Sequence, residues 1–315
     1  MSDQDYHNVG SDLVGARVET SKYTEEAIQD GDYLGYLPEE IDWPNPNPHD
    51  QLPHTGGGRG PYTHAPQPKE YEWDLPIVPV DANIPLEIAM GARAETDQTN
   101  YTEVLFTEAE KLPTATIWRG HQSMDLQQAY VGTKAGLTIS WGMEEALQVT
   151  LNAMSGIMNP DTSSFVAPNV DPPVKAPFMG WMQGQALVDG QTVATVQGGD
   201  VTLDHGLEVN PHGDAGREGY NVSEETGSEK YDASLTYTVA DTYLFQKASQ
   251  DGALMDIEVP LHRDLTNDPS TDAFILRLKQ AKIVDAPVSS PGEGRHVDDV
   301  EIAPSEIEIE IRDPL

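Results

Sequence analysis

A mainly β chain is what the sequence predicts: a β-sandwich or barrel with one or two short helices and long extended loops. Three observations carry this. About nine short runs alternate apolar with polar residues, the period of a half-buried strand. Helical spacing is confined to two brief stretches, near residues 84–90 and 242–249. The 24 prolines and 27 glycines cut the 315-residue chain into short pieces, which suits strands and turns and leaves no room for long helices.

Residues 1–41 read as an irregular N-terminal segment. Residues 42–72 follow, with Trp43-Pro44-Asn45-Pro46-Asn47-Pro48, then Thr55-Gly56-Gly57-Gly58-Arg59-Gly60-Pro61, then Pro66 and Pro68. Prolines this dense fix φ and remove ladder donors, so an extended arm or loop is expected, contributing little to the core. Trp43, Pro44, Pro46, Pro48, Gly57, Gly58 and Pro61 are candidates for contacts between copies, because a polyproline-like segment loses little entropy on docking. The glycine cluster has no GK[ST] ending and no preceding strand, so it reads as a turn rather than a phosphate cradle.

Residues 73–315 hold the folded domain. Ile84–Met90 is a helix candidate with Pro85 in its first turn and Gly91 just past its end. Short strands are expected at Thr116–Trp118, Leu137–Trp141 and Leu147–Leu151, the last two as a hairpin, and at Thr192–Val196, Val201–Leu203 and Leu207–Val209. Tyr231–Val239 alternates most cleanly, with Ala233, Leu235, Tyr237 and Val239 on one side and Ser234, Thr236 and Thr238 on the other. Asp241 caps a second helix candidate, Thr242–Ser249. Strands at Leu254–Leu261, Ala273–Ala281 (continued by Lys282–Val284) and Glu306–Ile311 complete the pattern, the last with an isoleucine face and a glutamate face.

Composition narrows the function classes. Eighteen Lys+Arg oppose 53 Asp+Glu, a net charge of −35. Such a surface repels nucleic acid phosphate and anionic lipid, which argues against a DNA reader or a peripheral membrane protein. No run approaches 18 apolar residues, and Met1-Ser2-Asp3-Gln4-Asp5 lacks basic and apolar regions, so neither a spanning helix nor a secretory signal is expected. The absence of Cys removes disulfides, thiolate zinc sites and cysteine nucleophiles. Acidic excess with nine lysines suits a folded protein working in concentrated salt, where the Debye length falls to about 3 Å.

Chemistry is sparsely signalled. Nine histidines show no HxH or HExxH spacing. Asp264-Leu265-Thr266-Asn267-Asp268 starts like a calcium loop but has Pro269 where Gly belongs and Ile275 where the bidentate Glu belongs. No specific metal or cofactor is expected, beyond loose cation binding by acidic loops. No GxSxG elbow occurs, and Asp204-His205 has no evident serine partner. Trp118, Trp141 and Trp181 fit sheet packing better than a sugar platform. An enzyme is not expected.

The order of several motifs resembles a phage-type tail tube protein. Asp74-Leu75-Pro76-Ile77-Val78-Pro79 leads into the helical Ile84–Ala92. Then come Leu112-Pro113-Thr114-Ala115-Thr116-Ile117-Trp118-Arg119-Gly120 and Tyr130-Val131-Gly132-Thr133-Lys134-Ala135-Gly136-Leu137-Thr138-Ile139-Ser140. Gly199-Asp200-Val201-Thr202-Leu203-Asp204-His205-Gly206-Leu207-Glu208 and Lys230-Tyr231-Asp232-Ala233-Ser234-Leu235-Thr236-Tyr237 follow. The resemblance implies sheets that join across subunits into a ring, commonly hexameric. Stacked rings would make a hollow virion tail tube, assembled in the host cytoplasm, through which viral DNA passes without specific binding. It implies no catalysis, no cofactor and no membrane. Partners would be further copies, a tape-measure protein, and tail terminator or baseplate proteins. Ser234, Thr236 and Thr238 are candidates for the lumen wall, and the face of Glu306, Glu308 and Glu310 a second candidate or a solvated exterior. The acidity suggests a virus of a halophilic archaeon. Alternatives are a capsid decoration or baseplate protein, or a halophilic carbohydrate-binding or surface-layer module.

Overall fold

A computed structural model describes residues 12–27, 29, 32, 34–38, 41–45, 49–52, 63–66, 70–79, 83–121, 126–161, 177–179, 186–192, 196–210, 221–224, 230–238, 253–263, 272–285 and 297–314. Its strands in chain order are β1 (Asp12–Val18), β2 (His49–Leu52), β3 (Thr63–Pro66), β4 (Tyr71–Ile77), β5 (Gly91–Asp97), β6 (Tyr101–Glu108), β7 (Ala115–His121), β8 (Leu126–Gly142), β9 (Gln148–Ser155) and β10 (Ile157–Asp161). They continue as β11 (Leu187–Val188), β12 (Gln191–Thr192), β13 (Val196–Asp204), β14 (Leu207–Asn210), β15 (Asn221–Glu224), β16 (Lys230–Thr238), β17 (Met255–Leu261), β18 (Ala273–Asp285), β19 (Val297–Ala303) and β20 (Glu306–Pro314). One helix, α1 (Asn83–Met90), lies between β4 and β5.

Sixteen strands form one antiparallel sheet that divides into layers. The first layer runs β4-β9-β8-β13-β16-β19 and ends on the last residues of β18. The second runs β12-β11-β17-β18-β20-β6-β5. A side sheet joins β1, β7, the first half of β8, and β10. The long strands β8 and β18 each belong to two of these, which is what makes the sheet continuous. Pairs β2–β3 and β14–β15 stand apart as small hairpins.

Alternation explains the core. Leu137 and Ile139 of β8, Val201 and Leu203 of β13, Leu235 of β16 and Val300 and Ile302 of β19 point inward from the first layer. Ile257 and Val259 of β17, Leu276 and Leu278 of β18 and Ile307, Ile309 and Ile311 of β20 point inward from the second. All belong to one apolar cluster, so the two layers share a core as in a sandwich. Helix α1 adds Leu86, Ile88, Ala89 and Met90 and packs on β8, β1 and β6. Gly91 ends it at φ 83°, the left-handed conformation that closes a helix.

The expected helix and the strands near residues 116, 137–151, 201–209, 231–238, 254–261, 273–284 and 306–311 are present, most of them longer than the apolar run, though β16 is shifted by one residue and β17 begins one residue later than expected; of the expected strand 192–196 only the two ends are described, on β12 and β13. The second helix candidate, the calcium-like turn and Trp181 lie outside the described residues. The arm departs from its expected loop: it holds the β2–β3 hairpin, and Tyr71 already begins β4. Proline does not forbid this. Pro66 ends a two-stranded hairpin, and Pro76 lies on β4, which among the described residues closes the first layer on one side. On an edge strand a missing N–H that faces outward breaks no ladder.

Candidate assembly surface

The outward face of the first layer is mostly polar, with Pro76 and Met154 among its apolar positions. On β16, Ala233 and Leu235 are buried while Ser234 and Thr236 are half-buried on the opposite side. Thr238 ends β16, its backbone opposite Val297, and its side chain lies outside what the structure describes. Ser234 stands between Asp200 and Glu301, and its hydroxyl donates to Asp200 Oδ1 at 2.6 Å. One row away, Asn152 Nδ2 donates to Asp74 Oδ1 at 2.9 Å, the Thr138 hydroxyl donates to Asn152 Oδ1 at 3.3 Å, and the hydroxyls of Thr138 and Thr202 lie 3.4 Å apart. A groove of about 360 Å³ runs here beside Glu72, Asp74 and Asp204. Cations reach this face only at its margins among the described residues. Lys134 is buried at one end of its row, Lys230 is opposite Asp204, and Lys282 lies at the far edge.

Trp43 corrects the expectation that the arm stays out of the core. Its ring stacks on Tyr130 at 5.6 Å between centroids and meets Trp73 at 6.1 Å, with the Arg119 guanidinium 5.3 Å over it. The Tyr130 hydroxyl donates to the Pro44 carbonyl at 3.1 Å. Trp43 and Pro44 are thus docked on their own chain, while Pro46, Pro48, Gly57, Gly58 and Pro61 lie outside the described residues. Burial pushes the Tyr130 phenol up to about 12, against a smaller downward pull from Arg119. A phenol whose folded pKa exceeds its unfolded one is stabilising below the unfolded value of about 10 and loses that contribution as pH rises toward the folded value. The Tyr130→Phe variant should therefore lose about 1 kcal/mol near neutrality with its hydrogen bond, and its alkaline unfolding should begin at higher pH than the parent's; a pH series of thermal melts would show both.

The glutamate face of β20 also needs correction, for it is not a simple solvated exterior. Glu310 is buried at 4% exposure. It takes Arg312 Nε at 2.5 Å and Arg277 Nη2 at 2.5 Å, while Arg277 Nε donates to Glu258 Oε2 at 2.9 Å and Lys279 pairs with Glu308 at 3.4 Å. Burial works against the Arg277 charge, yet the hydrogen bonds to Glu258 and Glu310 and their negative charge hold its pKa above the ordinary arginine range. Cross-strand register places Arg277 opposite Glu258 and sets Glu310 diagonal to Arg277 and Glu308 diagonal to Lys279, so the face is an ion-paired ladder.

Residues 67–300 match the family model described as phage tail tube protein. The chain belongs to that family. The match runs from just before β4 into β19, so the polar face described above, apart from its outermost strand ends, lies within it. No curated protein matches the chain. The family is structural, and its members are components of the virion tail. No described helix of this tail tube protein is long and apolar enough to cross a membrane.

Sequence reading found one strand of the polar face and missed the others. Asp200, Thr202, Thr138, Asn152 and Asp74 carry the same alternation as Ser234, but only the register shows that they adjoin it. Trp118 and Trp141 are buried against the sheets, as packing residues should be.

Proposed function

We propose that this tail tube protein closes into rings, hexameric as the resemblance implies, and that the rings stack into a tube with the carboxylate and hydroxyl face of its first layer, Ser234, Thr236 and Thr238 included, turned to the bore. The observation that supports this is the row structure of that face, with hydroxyls and carboxylates at its centre and, among the described residues, lysines at its margins. A conduit must not hold its cargo. Each phosphate bound by Lys or Arg would add an attraction to be broken as DNA slides, and about ten such contacts shift affinity by several decades with salt. A carboxylate wall removes the attraction, and concentrated salt shortens the repulsion to a cushion. This work needs neither a cofactor nor catalysis. The remaining partners are a tape-measure protein in the bore and terminator and baseplate proteins at the tube ends, in a virus of a halophilic host.

Electron cryomicroscopy of the protein assembled in molar NaCl tests the reading. Tubes of constant bore, with the Ser234 row facing inward and no retention of DNA in the same salt, are expected. A bore lined by lysine and arginine, or dispersed monomers at high concentration, would refute it.

A further inference from the structure

Five strands run in a chain of pairings whose ends are joined by a stretch outside the strands. β4 pairs with β9, β9 with β8, β8 with β7 and β7 with β1. Asp32, Leu34 and Tyr36 complete the circuit. On the side of β1 away from β7, Ala16 N donates to the Asp32 carbonyl at 3.0 Å and Leu34 N donates to the Val14 carbonyl at 3.3 Å. Two residues on, Tyr36 exchanges two backbone hydrogen bonds with Val78, the residue after β4, at 3.0 and 2.8 Å. Leu34 is 1% exposed and belongs to the same apolar cluster as Val14, Leu75, Ile77, Ile117 and Tyr130. This stretch is therefore the last stave of a small barrel, and closure of that kind removes open sheet edges. All of it precedes the matched residues 67–300.

One carboxylate fastens it. Glu19, the residue after β1, is buried. Its Oε1 accepts from Gly132 N at 2.7 Å and from the Thr116 hydroxyl at 3.2 Å, and its Oε2 accepts from Tyr23 N at 2.8 Å. Both backbone donors belong to left-handed residues, Tyr23 at φ 58° and Gly132 at φ 68°. The Tyr23 ring covers Gly132 so closely that a Cβ there would lie 2.1 Å from Cδ1. A bulky residue in the left-handed region is strained and persists only where its surroundings hold it. Further along, Arg17 grips Asp32 with two hydrogen bonds at 3.0 and 3.1 Å, and Asp32 Oδ2 accepts from Gln29 N at 2.6 Å. Among the described residues of 19–36, Leu34 is the one large apolar side chain that is buried. Polar bonds to the sheets, more than apolar area, hold this stretch in place, and elements with that balance open at lower free energy than the core.

We propose that residues 19–36 are a strap that opens as a unit while the sheets stay folded, that the Glu19 carboxylate is its clasp, and that the closed strap guards the chain against edge-to-edge aggregation. Opening strips the outer side of β1 of its partners and leaves the backbone of Val78 unpaired. Both are edges that another open copy can extend. The guard works within one chain, so it stands apart from the ring reading above.

Native-state hydrogen exchange of the full chain in molar NaCl, read by mass spectrometry, tests this. In the parent, peptides spanning residues 14–36 should exchange together and at least about tenfold faster than those of β17 and β18. Glu19→Gln keeps one acceptor but turns an NH2 group toward the other backbone donor. Strap exchange should rise by a further factor of about ten or more, with β17 and β18 unchanged. Gly132→Ala, which evicts the Tyr23 ring, should do the same. Both variants should scatter light and bind thioflavin T at concentrations where the parent stays clear. The chain has no native cysteine, so a short bis-maleimide across Tyr36→Cys and Val78→Cys can fasten the strap in the Glu19→Gln background, and this should restore solubility. Parent peptides 14–36 that exchange only together with β17 and β18 would overturn the strap, even if neither variant folds. A Glu19→Gln strap exchanging at the parent rate would overturn the clasp. Opening without aggregation, or aggregation that the cross-link does not relieve, would overturn the guard.

Discussion

In about 0.1 M NaCl the purified chain should lose its cooperative thermal transition and most of its β-type circular dichroism, and in molar NaCl both should return. The net charge is −35, and the arginines among the described residues are already engaged within the chain. Arg17, Arg93, Arg263, Arg277 and Arg312 already pair with carboxylates of their own chain, and Arg119 lies over Trp43. The remaining carboxylates repel across a Debye length of about 10 Å at 0.1 M salt, which shrinks to about 3 Å at 1 M. A domain has only about 5–15 kcal/mol of net stability, so repulsion summed over many exposed acids need not be large per pair to unfold it. An unchanged cooperative melt at both concentrations would refute the salt requirement and, with it, the main physical reason for placing this virus in a halophilic host.

What the sequence could disclose was decided by whether a strand has an apolar face of its own. β16, β17, β18 and β20 alternate against the core and were legible. β5 is half-buried at its first two residues and exposed at the rest; it pairs with β6 without burying a row, so no periodicity marks it. In β6, Leu105 stands between the buried Val104 and Phe106 and blurs the alternation. Among its described side chains β1 buries Val14 and Ala16 around a glycine, too little contrast to stand out. The arm was misread because proline density outweighed one aromatic residue: Trp43 finds Tyr130 and Trp73 across long sequence separations that no local pattern reports. The same holds for the site. Ser234 and Thr236 are visible as the polar half of an alternating strand, whereas Asp200, Asn152 and Asp74 become their neighbours only through register, which depends on the whole fold. The ladder on β20 was invisible for that reason too, since Arg277 and Glu310 are brought together by pairing alone.

Replacing Arg263 with methionine should destabilise the protein by about 3–5 kcal/mol, the cost of removing one partner from a buried ion pair. The Arg263 side chain is 4% exposed; it donates from Nη1 to Asp272 Oδ1 at 2.8 Å and Asp313 Oδ1 at 3.0 Å, with its guanidinium 4.0 Å from the Phe178 ring centre. It stands two residues past the end of β17, Asp272 directly precedes β18 and Asp313 lies on β20, so one cation ties three neighbouring strands of the second layer at their ends. His262 beside it donates through Nδ1 to the Asp272 carbonyl at 3.1 Å, which fixes the segment carrying the carboxylate. Methionine keeps much of the volume and the contact with Phe178 but leaves Asp272, itself 6% exposed, as a buried anion without its cation. Because the penalty is desolvation of a buried group, concentrated salt should not relieve it. Melts of parent and variant in molar NaCl should differ by on the order of 10 °C, and adding Asp272→Asn should recover much of the difference by removing the stranded charge. If the deficit instead vanished as salt rose from about 1 M to saturation, Arg263 would be acting only as one more charge offsetting the acidic surface.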